Sequence, residues 1–196
     1  MAKGRTYVVP HRRRREQKTD YRHRLGLLKS GKPRLVVRKS VRGMTCQVVA
    51  FAQEGDKCMA SANSAELAKF GWKVAAGNIP AAYLTGLLCG IRAKGKGISE
   101  AVLDVGLYRS TKGGRLYAAV RGAVDAGLDV PHSKDILPPE DRTKGAHIAA
   151  YADWMKRESA SDYKKRFSSF LKESVVPEEL PQHFEQVKAK ILGSAG

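Results

Sequence analysis

The first half of the chain alternates between short apolar runs and turn residues. Residues 34–40, 45–51 and 56–62 are rich in Val, Ala and other apolar residues, and Gly55 lies in the turn before the third run. Runs of this length, bounded by turn residues, predict β-strands. Because the connections between the runs are short, we expect the three strands to pair antiparallel.

Apolar positions then recur at helical spacing. Asn63 and Glu66 form the pattern of a capping box, which predicts a short helix that runs toward Trp72. A second helix is predicted with Pro80 in its first turn and Gly95 at its end. The apolar face of this second helix comprises Tyr83, Leu84, Leu87, Leu88 and Ile91.

The next segments complete one α/β unit. Residues 101–107 are almost continuously apolar, which is typical of a buried central strand. A third helix follows, and an extended segment begins near residue 128. The apolar face of the third helix comprises Leu116, Val120, Ala123, Val124 and Gly127. This order of elements predicts an α/β fold, a mixed sheet packed against helices as a two-layer sandwich.

The composition changes after Pro139. Residues 140–196 hold 10 basic and 9 acidic groups, and their apolar residues predict helices over 146–156, around 163–171, and after Pro181. We therefore expect an arm over 1–30, a core over 31–138 and a helical extension over 139–196. The extension must bury its apolar faces against the core, an RNA or another protein.

Positive charge is concentrated at the N-terminus. The chain has 36 Lys and Arg against 19 Asp and Glu, a net charge of +17. Residues 1–42 hold 15 of the basic groups and 2 of the acidic groups, so their net charge is +13. A polyanion is the natural partner of such a segment. Like charge at this density should not fold alone, but it can order once phosphates neutralise it.

Two features of the arm favour nucleic acid over a solvated tail or a nuclear import signal. Arginine outnumbers lysine by 10 to 5 in residues 1–42, which suits bidentate phosphate contacts and stacking on bases. The apolar residues Leu25, Leu27 and Leu28 also connect the arm to the first strand, so it is anchored to the fold.

Patterns for catalysis and metal binding are weak. Residues 90–97 nearly spell a phosphate-binding loop, but Gly97 replaces the final hydroxyl residue and the run closes a helix instead of opening one. The five histidines lack paired metal spacing, and no nucleophile elbow is present. Asp104, Asp125 and Asp129 could form a magnesium cluster of a nuclease, but Asp104 alternates out of a buried strand. Asp125 and Asp129 flank a helix end and are interpreted as capping or surface groups. We therefore expect no enzyme activity, no cofactor and no metal.

The remaining sequence features concern compartment. Cys46, Cys58 and Cys89 are too few and too scattered for a disulfide framework or a zinc site. The N-terminus has no apolar run typical of a signal peptide, and no apolar stretch is long enough to span a membrane. These features predict a cytoplasmic protein.

Several motifs in register resemble one known family. They are Arg34 to Ser40 (RLVVRKS), Ser61 to Leu67 (SANSAEL), Asn78 to Leu88 (NIPAAYLTGLL), Glu100 to Leu107 (EAVLDVGL) and Gly122 to Ser133 (GAVDAGLDVPHS). Together they resemble large-subunit ribosomal protein eighteen, the universal family that binds 5S ribosomal RNA, over roughly residues 5–138. The helical extension is similar to that of archaeal members.

The resemblance implies a role and a set of partners. Members lie in the central protuberance of the large ribosomal subunit and anchor 5S rRNA to the large-subunit rRNA, beside neighbouring proteins that include ribosomal protein five. By resemblance, the residues expected to contact RNA are Arg12, Arg13, Arg14, Arg15, Lys18, Tyr21, Arg22, Arg24, Arg34, Arg38, Ser40, Arg42, Arg109, Ser110, Thr111 and Arg115.

Two other classes of protein are compatible with the composition. A chromatin-like protein that coats DNA would also be basic, but it would bind duplex DNA as tightly as structured RNA. An RNA-processing nuclease would need converging acids or a cofactor loop, and the sequence shows neither pattern.

Overall fold

The basic arm contains two short helices. The computed structural model describes residues 4–194, so the first three residues of the predicted arm and the last two of the extension lie outside the described residues. Helix α1 spans Arg12–Arg15 and helix α2 spans Tyr21–Leu28. Asp20 caps α2 by accepting hydrogen bonds from the backbone N–H groups of Arg22 and His23. The arm therefore has a local acidic cap for its longer helix.

The three predicted antiparallel strands are confirmed. They are β1 (Arg34–Lys39), β2 (Met44–Ala50) and β3 (Lys57–Asn63), and β2 lies between the other two. Successive side chains of a strand point to opposite faces. One face carries the buried apolar side chains Leu35, Val37, Cys46, Val48, Ala60 and Ala62. The opposite face is called the open face below.

The apolar run over residues 101–107 predicted a central strand, but the fourth strand lies at the edge of the sheet and is shorter than predicted. Strand β4 spans only Val102–Asp104 and pairs parallel with β1 at the edge of the sheet, in the order β3-β2-β1-β4. Among its apolar neighbours, Ala101 is fully buried beside a parallel bridge that joins Glu100 to Asp129, whereas Leu107 is exposed. The apolar run therefore belongs to a partly covered edge of the sheet.

Two helices cover the apolar face of the sheet. The capping box of Asn63 and Glu66 forms as predicted and begins a 3-10 helix over Ser64–Phe70. Helix α3 spans Ile79–Lys94 and packs on β2 and β3, and helix α4 spans Arg115–Asp125 and packs on β1. The α/β sandwich predicted from the sequence is therefore confirmed.

Helices α3 and α4 touch at their backbones. A Cβ atom on Gly86 of α3 would lie 1.9 Å from the carbonyl oxygen of Ala119, and one on Gly122 of α4 would lie 2.1 Å from the carbonyl oxygen of Tyr83. Both distances are shorter than any non-bonded contact allows. Each glycine therefore provides the space into which the other helix fits.

The helical extension packs on the outer side of α3. Its helices are α5 (Glu140–Lys144), α6 (Ala146–Glu158), α7 (Ala160–Arg166), α8 (Ser168–Lys172) and α9 (Leu180–Gly193). Leu180, Phe184 and Ile191 of α9 are buried, and the Phe184 ring lies 5.4 Å from the ring of Tyr83 in α3. Of the three partners considered for its apolar faces, the core is therefore the one that the structure shows.

We predict that Gly86→Ala will destabilise the fold by at least about 2 kcal/mol, because the new methyl group forces the two helix backbones apart. Thermal or urea unfolding measures the change. Gly95→Ala at the end of the same helix is the matched control, since its Cβ would meet nothing closer than 3.6 Å. Equal stability of both variants would contradict a rigid backbone contact.

Candidate nucleic-acid interface

The open face of the sheet carries polar and charged side chains in a regular array. Arg34 and Arg38 of β1 flank Val36, and Gln47 lies opposite Val36 on β2. Asp104 of β4 lies on the other side of Val36. Strand alternation produces this array, because the residues that face the helices occupy the positions between them.

The arm lies along this open face and encloses a groove of about 610 Å³. One wall is formed by the arm, with Arg13, Lys18, Tyr21, His23 and Arg24. The other wall is formed by the sheet, with Arg34, Val36, Arg38, Gln47, Val49 and Cys58. The groove therefore brings cations of the arm and cations of β1 to one cleft, although they are distant in sequence.

Arg34 is buried and lies between two carboxylates. It is only 3% exposed. Its Nη1 donates to Asp104 Oδ2 at 2.8 Å, and its Nη2 donates to Asp56 Oδ2 at 2.6 Å. Sequence placed Arg34 among the RNA contacts, whereas the structure uses both terminal nitrogens inside the protein. Its role in the structure is to hold Asp56 and Asp104, two acids that also line the groove.

Arg38 is held by the same acid but keeps one side open. Its Nη2 donates to Asp104 Oδ1 at 2.9 Å and its Nη1 donates to the Asp104 carbonyl at 2.6 Å. Gly106 packs against the guanidinium, where a Cβ would come within 3.0 Å of Arg38 Cζ. The side chain remains 40% exposed on the groove side. Arg38 is therefore a cation fixed in place and available to a ligand.

The two carboxylates remain ionised because arginines surround them. Burial alone would raise the pKa of Asp104, but hydrogen bonds from Arg38 and Gly106 and the charge of Arg34 bring that pKa below its ordinary value. The pKa of Asp56 is lowered mainly by its hydrogen bond from Arg24, with Arg34 adding to the effect. Arg24, Asp56, Arg34, Asp104 and Arg38 thus form a chain of alternating charges.

The arm residues differ in how free they are. Arg12 and Lys18 both pair with Glu16, at 3.6 and 2.9 Å, and Arg13 donates to Thr19 at 2.9 Å. The Tyr21 ring lies 4.8 Å from the ring of His11. Over residues 4–194, the exposed arm cations that make neither an ion pair nor a side-chain hydrogen bond to the protein include Arg14, Arg15 and Arg22.

A second group of predicted residues lies at the end of β1. Ser40 and Arg42 belong to the tight turn between β1 and β2, where Arg42 is exposed and the Ser40 hydroxyl accepts from the Gly43 N–H at 2.9 Å. Arg115 supports this turn through hydrogen bonds to the carbonyls of Ser40 and Gly77, at 3.2 and 2.7 Å. The structure therefore brings the start of α4 to the turn.

The loop before α4 completes this group. Arg109 and Thr111 are exposed, and Ser110 forms a 2.6 Å hydrogen bond with the hydroxyl of Tyr117. The predicted residues therefore occupy two areas, the groove and the turn with its neighbouring loop. Some supply exposed cations, and others hold the backbone that presents them.

Sequence reasoning missed the acids. Asp104 does point away from the apolar core, as its position in the strand predicted, but it is 5% exposed and paired. Asp56 follows the turn at Gly55 and had no assigned role. The sequence did contain a signal for Asp104, because Arg34 and Arg38 alternate on one face of β1 and Asp104 ends β4. Only the parallel register of β4 on β1 shows that these three residues meet.

Neither a membrane helix nor a metal site is found in the part of the chain that the structure describes. Over residues 4–194, no helix combines the length and the apolar character needed to cross a bilayer. In the same range, the His, Cys, Asp and Glu side chains form no group of three or more that could hold a metal ion.

Comparison with known proteins identifies the family. The family described as ribosomal large subunit proteins 60S L5 and 50S L18 matches residues 5–97 and 92–133. Large ribosomal subunit protein uL18 of the archaeon Methanococcus maripaludis is 52% identical over 192 residues, which are 98% of this chain and 99% of the relative. The chain belongs to the L5/L18 family of large-subunit ribosomal proteins.

Membership in the L5/L18 family confirms the predictions about the family, the role and the compartment of the protein. It confirms the resemblance seen in the sequence and makes the protein a structural constituent of the large ribosomal subunit in the cytoplasm, not an enzyme. The family match ends at residue 133, whereas the archaeal relative aligns over nearly the full length. The helical extension is therefore shared with an archaeal uL18 protein, as its resemblance implied.

We predict that Asp104→Asn will destabilise this L5/L18 protein by about 3 kcal/mol at neutral pH, because it leaves Arg34 and Arg38 without a charged partner at a buried site. The pKa of Asp104 is lower in the folded protein than its ordinary value of 3.8. The stabilisation by the Asp104 carboxylate is therefore fully present above pH 3.8 and is lost as the pH falls through the pKa of the folded state. Urea unfolding at several pH values should show the difference from wild type shrinking below about pH 4.

The matched control for this prediction is Asp135→Asn. Asp135 is exposed and makes no ion pair among the described residues. Its replacement should change the free energy of unfolding by less than about 0.5 kcal/mol at any pH. A loss of stability in Asp104→Asn that stays constant down to pH 3 would contradict the assigned pKa direction.

Proposed function

We propose that this protein binds 5S rRNA and anchors it to the large-subunit rRNA in the central protuberance, beside ribosomal protein five. The observation that carries the proposal is the groove, which cations of the arm and cations of the sheet line together. The proposal is supported by membership in a ribosomal family and by the resemblance of the core motifs to the 5S-binding proteins.

RNA enters this surface through phosphate contacts first. Arg14, Arg15, Arg22 and Arg42 are exposed and have no acidic partner within residues 4–194, so phosphates can release their counterions without breaking an existing ion pair. Arg38 adds a cation whose position is fixed by Asp104. Discrimination of RNA then comes from its shape, its 2′-hydroxyls and the stacking of Tyr and Arg on unpaired bases.

Large-subunit rRNA needs a second surface if 5S rRNA fills the groove. The turn with Arg42 and the loop with Arg109 and Thr111 form such a surface, because they are exposed and lie at the end of β1. Arg115 holds the turn against the start of α4, which makes the turn and the loop one area. Strand β1 carries Arg38 in the groove and leads directly into the turn, so it sets the spacing between the two basic areas. A protein with two spaced cationic areas can anchor one RNA to another.

We predict that affinity for a 5S rRNA transcript will fall by about a thousandfold or more between 50 and 200 mM salt, as for a protein that engages roughly six to ten phosphates. Filter binding or fluorescence anisotropy measures the slope. A random duplex DNA competitor should displace the RNA only at much higher concentration. A flat salt dependence, or equal displacement by duplex DNA, would contradict the proposal and favour the chromatin-like alternative.

We predict that deletion of residues 1–18 will lower affinity for the same transcript by at least about a hundredfold, since it removes seven cations including Arg12 to Arg15. The thermal midpoint of the core should stay within a few degrees of wild type, because none of residues 4–18 is buried. Differential scanning fluorimetry and RNA binding are measured on the same preparations. Loss of the folded core on deletion would contradict the arm's role as a surface segment.

A further inference from the structure

Asp56 is an acid in the wall of a cationic groove. It lies just before β3, and its Oδ1 and Oδ2 accept from Arg24 Nη2 at 2.7 Å and Nη1 at 2.9 Å. Its Oδ2 also accepts from Arg34 Nη2 at 2.6 Å. One carboxylate thus receives a bidentate pair from the arm and a single hydrogen bond from the sheet.

The Arg24–Asp56 pair is the polar connection between the arm and the rest of the protein. Among residues 4–194, it is the one ion pair or side-chain hydrogen bond that joins residues 4–28 to any residue beyond 31. Helix α2 contains no buried residue, so apolar packing does little to fix it. The position of the arm over the open face therefore depends on this pair.

The base of the connection is rigid. Arg34 is buried and is held from the other side by Asp104 at 2.8 Å, so Asp56 has a fixed partner that does not depend on Arg24. Hydrogen bonds and charge from Arg24 and Arg34 lower the pKa of Asp56 below its ordinary value. A bidentate pair between an arginine and a carboxylate also fixes the orientation of the guanidinium.

We propose that Asp56 is a positioning residue for RNA binding, which acts by holding helix α2 over the open face. The inference rests on the proposed function and names a residue that makes the site competent without touching RNA. Holding α2 also keeps the preceding residues Arg13 and Lys18 in the groove that Arg38 lines, before RNA arrives. RNA then does not bear the conformational entropy of ordering the arm, which is the usual gain from preorganisation.

Simple electrostatics predicts the opposite effect for this acid. A carboxylate near the binding surface lowers the positive potential, so its removal should strengthen phosphate binding. If Asp56 positions the arm, its removal weakens binding instead. The sign of the change therefore separates the two explanations.

The first test compares two neutralised acids on the same loop. Asp56→Asn should lower affinity for a 5S rRNA transcript by about tenfold and reduce the salt slope, because the arm no longer presents its cations together. Glu54→Gln removes an exposed acid that makes no ion pair among the described residues, and it should leave affinity unchanged or slightly higher. Asp56→Glu keeps the carboxylate and should restore most of the affinity.

The second test compares two neutralised arginines on one helix. Arg24→Gln and Arg22→Gln each remove one cation from α2, but only Arg24 contacts Asp56. We expect Arg24→Gln to lose several-fold more affinity than Arg22→Gln and to speed amide hydrogen exchange over residues 21–28. The double variant R24Q/D56N should bind about as well as the weaker single variant, because both changes break one interaction.

Two controls keep the outcomes distinct. Asp56→Asn also takes a partner from Arg34, so its thermal midpoint is measured; if it fails to fold, Arg24→Gln tests the inference with Arg34 and Asp104 still paired. Equal affinities of R24Q and R22Q, with slow exchange in α2, would overturn the inference while leaving the proposed function intact. Failure of the wild-type protein to prefer 5S rRNA over duplex DNA would overturn the proposed function instead.

Discussion

The position of Arg34 between Asp104 and Asp56 is the interaction on which the rest of the open face depends. A buried guanidinium needs charged partners, and these come from β4 on one side and from the loop before β3 on the other. Through Asp104 the same interaction fixes Arg38, and through Asp56 it fixes Arg24 and the arm. One buried cation thus links the sheet edge, the hairpin loop and the N-terminal segment, and it gives the groove its two walls.

This arrangement divides the basic residues into two kinds. Arg24 and Arg34 are paired with carboxylates of the protein and determine geometry, whereas Arg14, Arg15, Arg22 and Arg42 remain exposed and determine the electrostatic potential of the surface. The number of arginines therefore overstates the number of cations free to contact a polyanion. The same division explains how a segment with a net charge of +13 in its first 42 residues can be ordered, since the few acids available are placed at its caps and anchors.

Sequence predicted the elements whose causes are local. The capping box at Asn63 and Glu66, the proline near the start of α3 and the alternation in β1 to β3 are all readable within a few residues. The prediction failed where the cause was distant. Strand β4 was predicted to be central, but it lies at the edge of the sheet. The burial of Arg34 against Asp104 was not foreseen either, because the two residues lie 70 positions apart in the sequence. The groove forms because the arm folds back over the sheet, and no local sequence pattern predicts that position of the arm.

The distance in sequence between Arg24 and Asp56 has a consequence for synthesis of the chain. Arg24 is translated 32 residues before its partner, and Asp104, which secures Arg34, follows much later. At about 5–20 residues per second, the arm leaves the ribosome seconds before the groove that holds it exists. During that interval Arg24 lacks the carboxylate that fixes its orientation, so the arm takes its place on the open face only after the hairpin has formed.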